Sequence, residues 1–173
     1  MNKVIVFALI LGMVFIQSCD KDDDPSCTKE VEADKLAKID QTKLASDIIA
    51  IDAYLSSKGI VAQKEPNGVR YVIATLGAGE KPCIESRITV KYKGNLLSNP
   101  DLPPFDSNTA GLTFSLSGVI LGWQLVLPNY VPAGTKVTLY IPSGYAYGTS
   151  GAAGGKIPAN ANLIFEIELD AVN

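Results

Sequence analysis

The chain of 173 residues contains no histidine. That absence removes the commonest general base, the histidine-dependent nucleophilic triads and the commonest zinc ligand together. Any chemistry performed here is done without imidazole. An excess of basic charge is also missing. Fifteen lysines and arginines stand against eighteen acids, a net charge of −3, with no basic run of the kind that tracks phosphates, so nucleic acid is excluded as a partner. No apolar run reaches the roughly 20 residues of a bilayer span. What is present is a 47% hydrophobic composition in a length that suits one core rather than two.

The longest apolar run, thirteen residues from Val4 to Ile16 after Lys3, has the length of a signal-peptide core. It ends in Ile16-Gln17-Ser18-Cys19, which resembles the lipobox of lipoprotein signal peptides. On that resemblance residues 1–18 are removed and Cys19 becomes the lipid-modified first residue. An ordinary secretory signal followed by a chance cysteine is the alternative. Residues 19–33 then read as a tether, because Asp20-Lys21-Asp22-Asp23-Asp24-Pro25 is too polar to pack. A lysine followed by acids is similar to the export signal of Bacteroidetes surface lipoproteins. The expected location is therefore the outer membrane, lipid-anchored, on its periplasmic or cell-surface face. Of three cysteines, Cys27 and Cys83 remain, an even pair for an oxidising compartment. A Cys27–Cys83 disulfide and two free thiols both fit that count.

Residues 34–66 read as a helical extension and linker. Leu36, Ile39, Leu44, Ile48, Ile51 and Leu55 recur at steps of three, five, four, three and four, one helical stripe from Asp34 to Lys58, with Asp34 or Asp40 as its cap and Gly59 as its end. Such a stripe must be buried, either on the domain that follows or on a second copy in a homodimer. From residue 67 to 173 the period changes to two. Val69, Tyr71 and Ile73 alternate, as do Ile88, Val90 and Tyr92, then Leu112, Phe114 and Leu116, then Val137, Leu139 and Ile141, and finally Leu163, Phe165, Ile167 and Leu169. Five strands with one short helix near Ile120 to Leu127 predict an α+β fold, a mostly antiparallel sheet curled around a helix. Pro128 is expected to stop that helix early. The turns Leu97–Pro104 and Thr149–Lys156 are the places expected to carry binding chemistry.

An ordered set of motifs runs through the same region: Val90-Lys91-Tyr92-Lys93-Gly94, Phe105-Asp106-Ser107, Phe114-Ser115-Leu116, Val119-Ile120-Leu121-Gly122-Trp123, Tyr145-Ala146-Tyr147-Gly148, Ile157-Pro158, and Leu163 to Leu169. Together they resemble the FKBP-type peptidyl-prolyl cis-trans isomerases, in particular bacterial, Bacteroidetes-like lipoprotein members with a helical N-terminal extension. The resemblance implies a curved antiparallel sheet wrapped around a short helix, with an apolar pocket between them. Carried over by position, Tyr92, Phe105, Val119, Ile120, Trp123, Ile157 and Phe165 line the pocket, with Trp123 as floor. Asp106 and Tyr147 supply its polar, catalytic rim. Phe114 and Leu112 lie beside it. The implied partners are proline-containing polypeptides, the macrolide ligands of the family, and a membrane through the lipid anchor. No metal or organic cofactor is implied.

Each of these residues also has a plainer reading. Tyr92, Phe114 and Phe165 lie on alternating strands and serve equally as core, a single tryptophan is commonly the largest core residue, and Asp106 suits a turn or cap. Tyr145 and Tyr147 share one side of an extended segment, so only the family pattern selects Tyr147. Asp106 could act on the substrate or fix a neighbouring tyrosine. The chain departs from the family in a longer segment between Gly94 and Phe105, and in Lys156 after the small residues 151–155. Two other functions share the same fold: a proline-segment-binding module without turnover, and a structural surface lipoprotein paired through its helix.

Overall fold

The computed structural model describes residues 27–173; the signal segment, Cys19 and the acidic run fall outside the described residues. Two helices come first, α1 (Ala33–Ala37) and α2 (Gln41–Ser57). Six strands follow: β1 (Gln63–Lys64), β2 (Arg70–Thr75), β3 (Arg87–Leu96), β4 (Asp106–Ser115), β5 (Lys136–Ile141) and β6 (Leu163–Val172). Helix α3 (Leu121–Tyr130) lies between β4 and β5. The sheet order is β1-β2-β5-β6-β3-β4 and every neighbouring pair is antiparallel. The fold is the expected one, a curved antiparallel sheet around a short helix.

The period-two pattern decides which side chains meet the helix. Val90, Leu139, Leu163 and Leu169 are fully buried and share one cluster with Trp123, Val126 and Leu127 of α3. Alternate residues face the other way and divide into two zones. At one end, Val72, Tyr140 and Ile164 join Leu97 and the α2 residues Ile51 and Leu55 in a second core. At the other end the face is charged, with cross-strand pairs Lys91–Asp170, Lys93–Glu166 and Lys136–Glu168 at 3.1 to 3.3 Å. Helix α2 therefore covers only the apolar part of the sheet's outer face.

Three expectations are corrected and one open alternative is decided. The stripe from Asp34 to Lys58 is two helices, because Asp40 leaves helical geometry and its carboxylate accepts from the Thr42 and Lys43 N–H groups, capping α2 and breaking the run. Helix α3 continues past Pro128 to Tyr130. A proline two residues before the end forfeits one backbone bond, and the buried run Gly122 to Leu127 offsets it. Of the two ways left open for burying the stripe, the structure gives the first: Leu44, Ile51 and Leu55 are buried within the chain. Strand β4 begins at Asp106, well before its apolar alternation, while Leu116 falls just beyond it in the tight turn Leu116–Gly118. As an edge strand, β4 is exposed along most of its first half, so no alternation marks it.

Cys27 and Cys83 form a disulfide with Cα atoms 5.1 Å apart. Beside it the Ile84 N–H donates to the Thr28 carbonyl at 2.7 Å. The N-terminal end of the described chain is thus fastened just ahead of β3.

Candidate active site

A cleft of about 280 Å³ opens between the inner face of the sheet, the start of α3 and the turn after β5. Its walls are Tyr92, Phe105, Phe114, Val119, Ile120, Trp123 and Phe165, and Asp106, Gly118 and Tyr147 complete its lining. Strand pairing brings the aromatic residues together. Gly94 lies opposite both Phe165 on β6 and Asp106 on β4, and Tyr92 lies opposite Ile167 and Asn108. A methyl group on Gly94 would stand 2.6 Å from the Phe105 ring and 2.8 Å from that of Phe165, so only glycine lets the two rings close over β3.

The rings meet edge to face. Trp123 and Phe165 have centroids 5.3 Å apart at 87°, Phe105 and Phe165 are 5.6 Å apart at 82°, and Tyr92 and Trp123 are 5.9 Å apart at 74°. Phe114 closes the set at 6.5 Å from Trp123. This arrangement pairs positive ring edges with negative faces and is favourable beyond simple burial. Trp123 is 4% exposed and forms the floor, its Nε1–H without a hydrogen-bond partner among the described residues.

Polar groups are confined to the rim. The Tyr92 hydroxyl donates to Asp106 Oδ2 at 2.7 Å. Burial, this hydrogen bond and the Asp106 charge push the Tyr92 phenol up to about 12. Asp106 therefore holds a wall tyrosine through one of its carboxylate oxygens. Tyr147 is 38% exposed at the mouth, and no hydrogen bond to its hydroxyl is made among the described residues. Its phenol is raised above its ordinary value, first by burial and then by the Asp106 charge. Tyr145 goes inward instead, 3% exposed, and donates to the Asn67 carbonyl at 3.0 Å. The two tyrosines that alternation leaves equivalent are thus separated.

Of the residues expected at the pocket, only Ile157 is absent from the lining. It is 3% exposed, bridges Ala152 and packs into the main core. Leu112 is 42% exposed and lies outside the cleft. Phe114, expected only beside the pocket, lines it. Neither Leu97–Pro104 nor Thr149–Lys156 contributes to the lining: Leu97 is drawn into the outer core by α2. Sequence reasoning passed over Gln124. Its side chain is 3% exposed and donates to the carbonyls of Val119 at 2.6 Å and Ser117 at 3.3 Å, pinning the turn that forms one wall. An amide inside the otherwise apolar run Trp123 to Leu127 was the available signal.

A larger hollow of about 450 Å³ spreads over Lys91, Lys93, Lys136, Glu166 and Glu168. Its charges satisfy one another in the cross-strand pairs, so it gathers no unmet group. The smaller aromatic cleft is the better candidate because its apolar walls and free donor converge on one space.

Comparison with known proteins bears on this cleft. Residues 78–170 match the family model described as FKBP-type peptidyl-prolyl cis-trans isomerase. The chain is 40% identical over 117 residues to the FKBP-type peptidyl-prolyl cis-trans isomerase FkpA of Buchnera aphidicola, covering 67% of this chain and 46% of that protein. It is 34% identical over 135 residues to the outer membrane protein MIP of Legionella longbeachae, covering 78% of this chain and 56% of that one. Among solved structures, a peptidyl-prolyl cis-trans isomerase from Pseudomonas syringae aligns with a TM-score of 0.65 at 36% identity, over 77% of this chain and 95% of that one. The chain spans about half the length of the curated relatives it matches.

Proposed function

Given that the chain belongs to the FKBP-type peptidyl-prolyl cis-trans isomerase family, we propose that it accelerates rotation about Xaa-Pro bonds in the aromatic cleft. The observation that carries this reading is the ring-walled cleft with the Tyr147 hydroxyl, unpartnered among the described residues, at its mouth.

Rotation about an Xaa-Pro bond faces a barrier of about 18 to 20 kcal/mol because conjugation holds the amide flat. No covalent bond breaks and no proton must move, which suits a chain without histidine. In the twisted transition state the amide loses charge separation, so water favours the planar ground state. Phe105, Trp123, Phe165 and Tyr92 exclude that water and grip the pyrrolidine ring, binding the twisted form better than the flat one. The Tyr147 hydroxyl holds the substrate carbonyl as it turns, and the Ile120 main-chain N–H anchors the flanking peptide. Asp106 acts at one remove by fixing the Tyr92 ring.

The substrates on this reading are proline-containing segments of exported proteins. Lipid attachment at Cys19 places the enzyme at the outer membrane, a reading supported by the lipobox-like Ile16-Gln17-Ser18-Cys19 and in keeping with the outer membrane protein MIP among the relatives. The same apolar cleft suits macrolide ligands. A binding module without turnover would use the same walls but not the free Tyr147 donor.

NMR exchange on a panel of Xaa-Pro peptides tests the proposal. The folded parent is expected to accelerate exchange, Trp123→Ala to lose most of that acceleration, and Tyr147→Phe to lower it about tenfold, in keeping with the loss of one transition-state hydrogen bond. A well-folded parent inactive across the whole panel would leave the binding module as the function.

A further inference from the structure

Tyr147 is set by the segment before it, and that segment is held from outside the isomerase motifs. The tight turn Ser143–Tyr145 is closed by the Tyr145 N–H to the Pro142 carbonyl and the Ala146 N–H to the Ser143 carbonyl, both 3.0 Å. Its first residue, Ser143, is 1% exposed. Asp47, on α2 and 96 residues away in sequence, accepts from the Ser143 hydroxyl at 2.6 Å and from the Ser143 N–H at 3.1 Å, both through Oδ2. Its other oxygen is paired with Lys43. Asp47 is itself 2% exposed.

A buried carboxylate is costly unless its oxygens are satisfied, and this one is satisfied by the two donors of a single turn residue and one lysine. The contact is backed by close packing. A methyl group on Gly144 would stand 2.9 Å from Ile39, the residue before the α2 cap. Asn162 also accepts from the Ser143 N–H, at 2.9 Å, but the Ser143 hydroxyl has Asp47 as its acceptor.

We propose that Asp47 is a positioning residue for the cleft: through Ser143, helix α2 holds the turn that aims the Tyr147 hydroxyl at the substrate carbonyl. This rests on the role given to Tyr147 above. The helical extension is then part of the isomerase machinery, and the residue that links them lies outside the segment matched to the family.

The test uses the full chain and attacks the contact from both sides, with Asp47→Asn, which keeps shape, and Ser143→Ala, which removes the hydroxyl. Asp52→Asn serves as comparison, because it loosens the same helix at Arg70 without touching the turn. The readouts are kcat and KM by NMR exchange, the ring signals of Tyr147, and the unfolding midpoint. In an active parent, Asp47→Asn and Ser143→Ala are each expected to lower kcat about fivefold to tenfold with KM within about twofold, since a carbonyl held only during rotation acts in the transition state. The double variant should be no worse than either single one, and Asp52→Asn should leave kcat unchanged. Unchanged kcat with a lower unfolding midpoint would overturn the proposal and leave Asp47 as a stabilising contact only. If the parent shows no turnover, the role of Tyr147 falls by itself, and the ring signals decide the positioning. Broadening or displacement of Tyr147 in both contact variants and not in Asp52→Asn upholds it, and an undisturbed Tyr147 rejects it.

Discussion

Tyr92 has two duties that a period-two pattern cannot separate: its ring is a wall of the cleft and its hydroxyl is tied to Asp106. The phenol, pushed up to about 12 from its ordinary 10, binds its proton more tightly folded than unfolded. Stability from this group is therefore complete below pH 10 and is lost as the pH rises through about 12. An absorbance titration of the phenolate should show one tyrosine ionising near 12 that disappears in Tyr92→Phe and moves down in Asp106→Asn. A Tyr92 transition at the ordinary value in the folded parent would remove the hydrogen bond from the account. At this scale the sequence was legible where the ordered motifs fixed a position, since residue type alone left each ring a core reading. Trp123, Phe105 and Phe165 were placed at the cleft by the motif order, and the structure brings their rings together there at 5.3 to 5.6 Å. Ile157 was not legible, because whether an aliphatic side chain on a turn faces a cleft or the core behind it depends on the turn's path, which no periodicity encodes.

The elements were read best where one face is buried and the other wet. β3, β5 and β6 alternate over part of their length, while Leu139–Ile141 and Leu163–Phe165 are buried on both faces, the outer one beneath α2. β1 is two residues long and β4 is largely exposed over its first half, so neither stretch offered a pattern, and only Leu112 and Phe114 marked the rest of β4. Helix α2 showed its stripe, but not what covers it; that depended on Tyr140 and Ile164, two residues that look like the solvent side of their strands until the helix is placed on them. The consequence is measurable. Ile51 is fully buried and Ile49 is 70% exposed on the same helix. Ile51→Ala should cost about 2 to 5 kcal/mol of unfolding free energy. Ile49→Ala should stay within about 0.5 kcal/mol. Chemical denaturation of both variants checks this. Equal losses would mean that the helix buries a different face, as a dimer through α2 requires.

For the molecule as a whole, the motif order revealed the family and the fold but not the way the ends are arranged. Residues 27–62 do not stand apart from the sheet. They start at Cys83, place Ile39 beneath Gly144, and lay α2 across the outer face before β1 joins the sheet. Three kinds of contact hold this belt: the disulfide, the Asp47–Ser143 bonds and the paired Asp52 and Arg70. The sequence held all of their residues, yet each pairing spans a separation that only the folded chain closes.

The Cys27–Cys83 bond also decides how the molecule bears tension. A pull on the N-terminal end of the described chain crosses the disulfide and enters the body just before β3, so the residues between the two cysteines, which stand 56 apart in sequence, lie off the direct covalent path. Helix α2 is off the line of force. The same closed ring means that one proteolytic cut within it, such as after exposed Lys58 beside Gly59, should leave a single covalent body. Limited trypsin digestion followed by electrophoresis should give one band of full mass without reductant and two fragments with it. Two fragments without reductant would show the cysteines apart, and the strain would then run through the helices that position Tyr147.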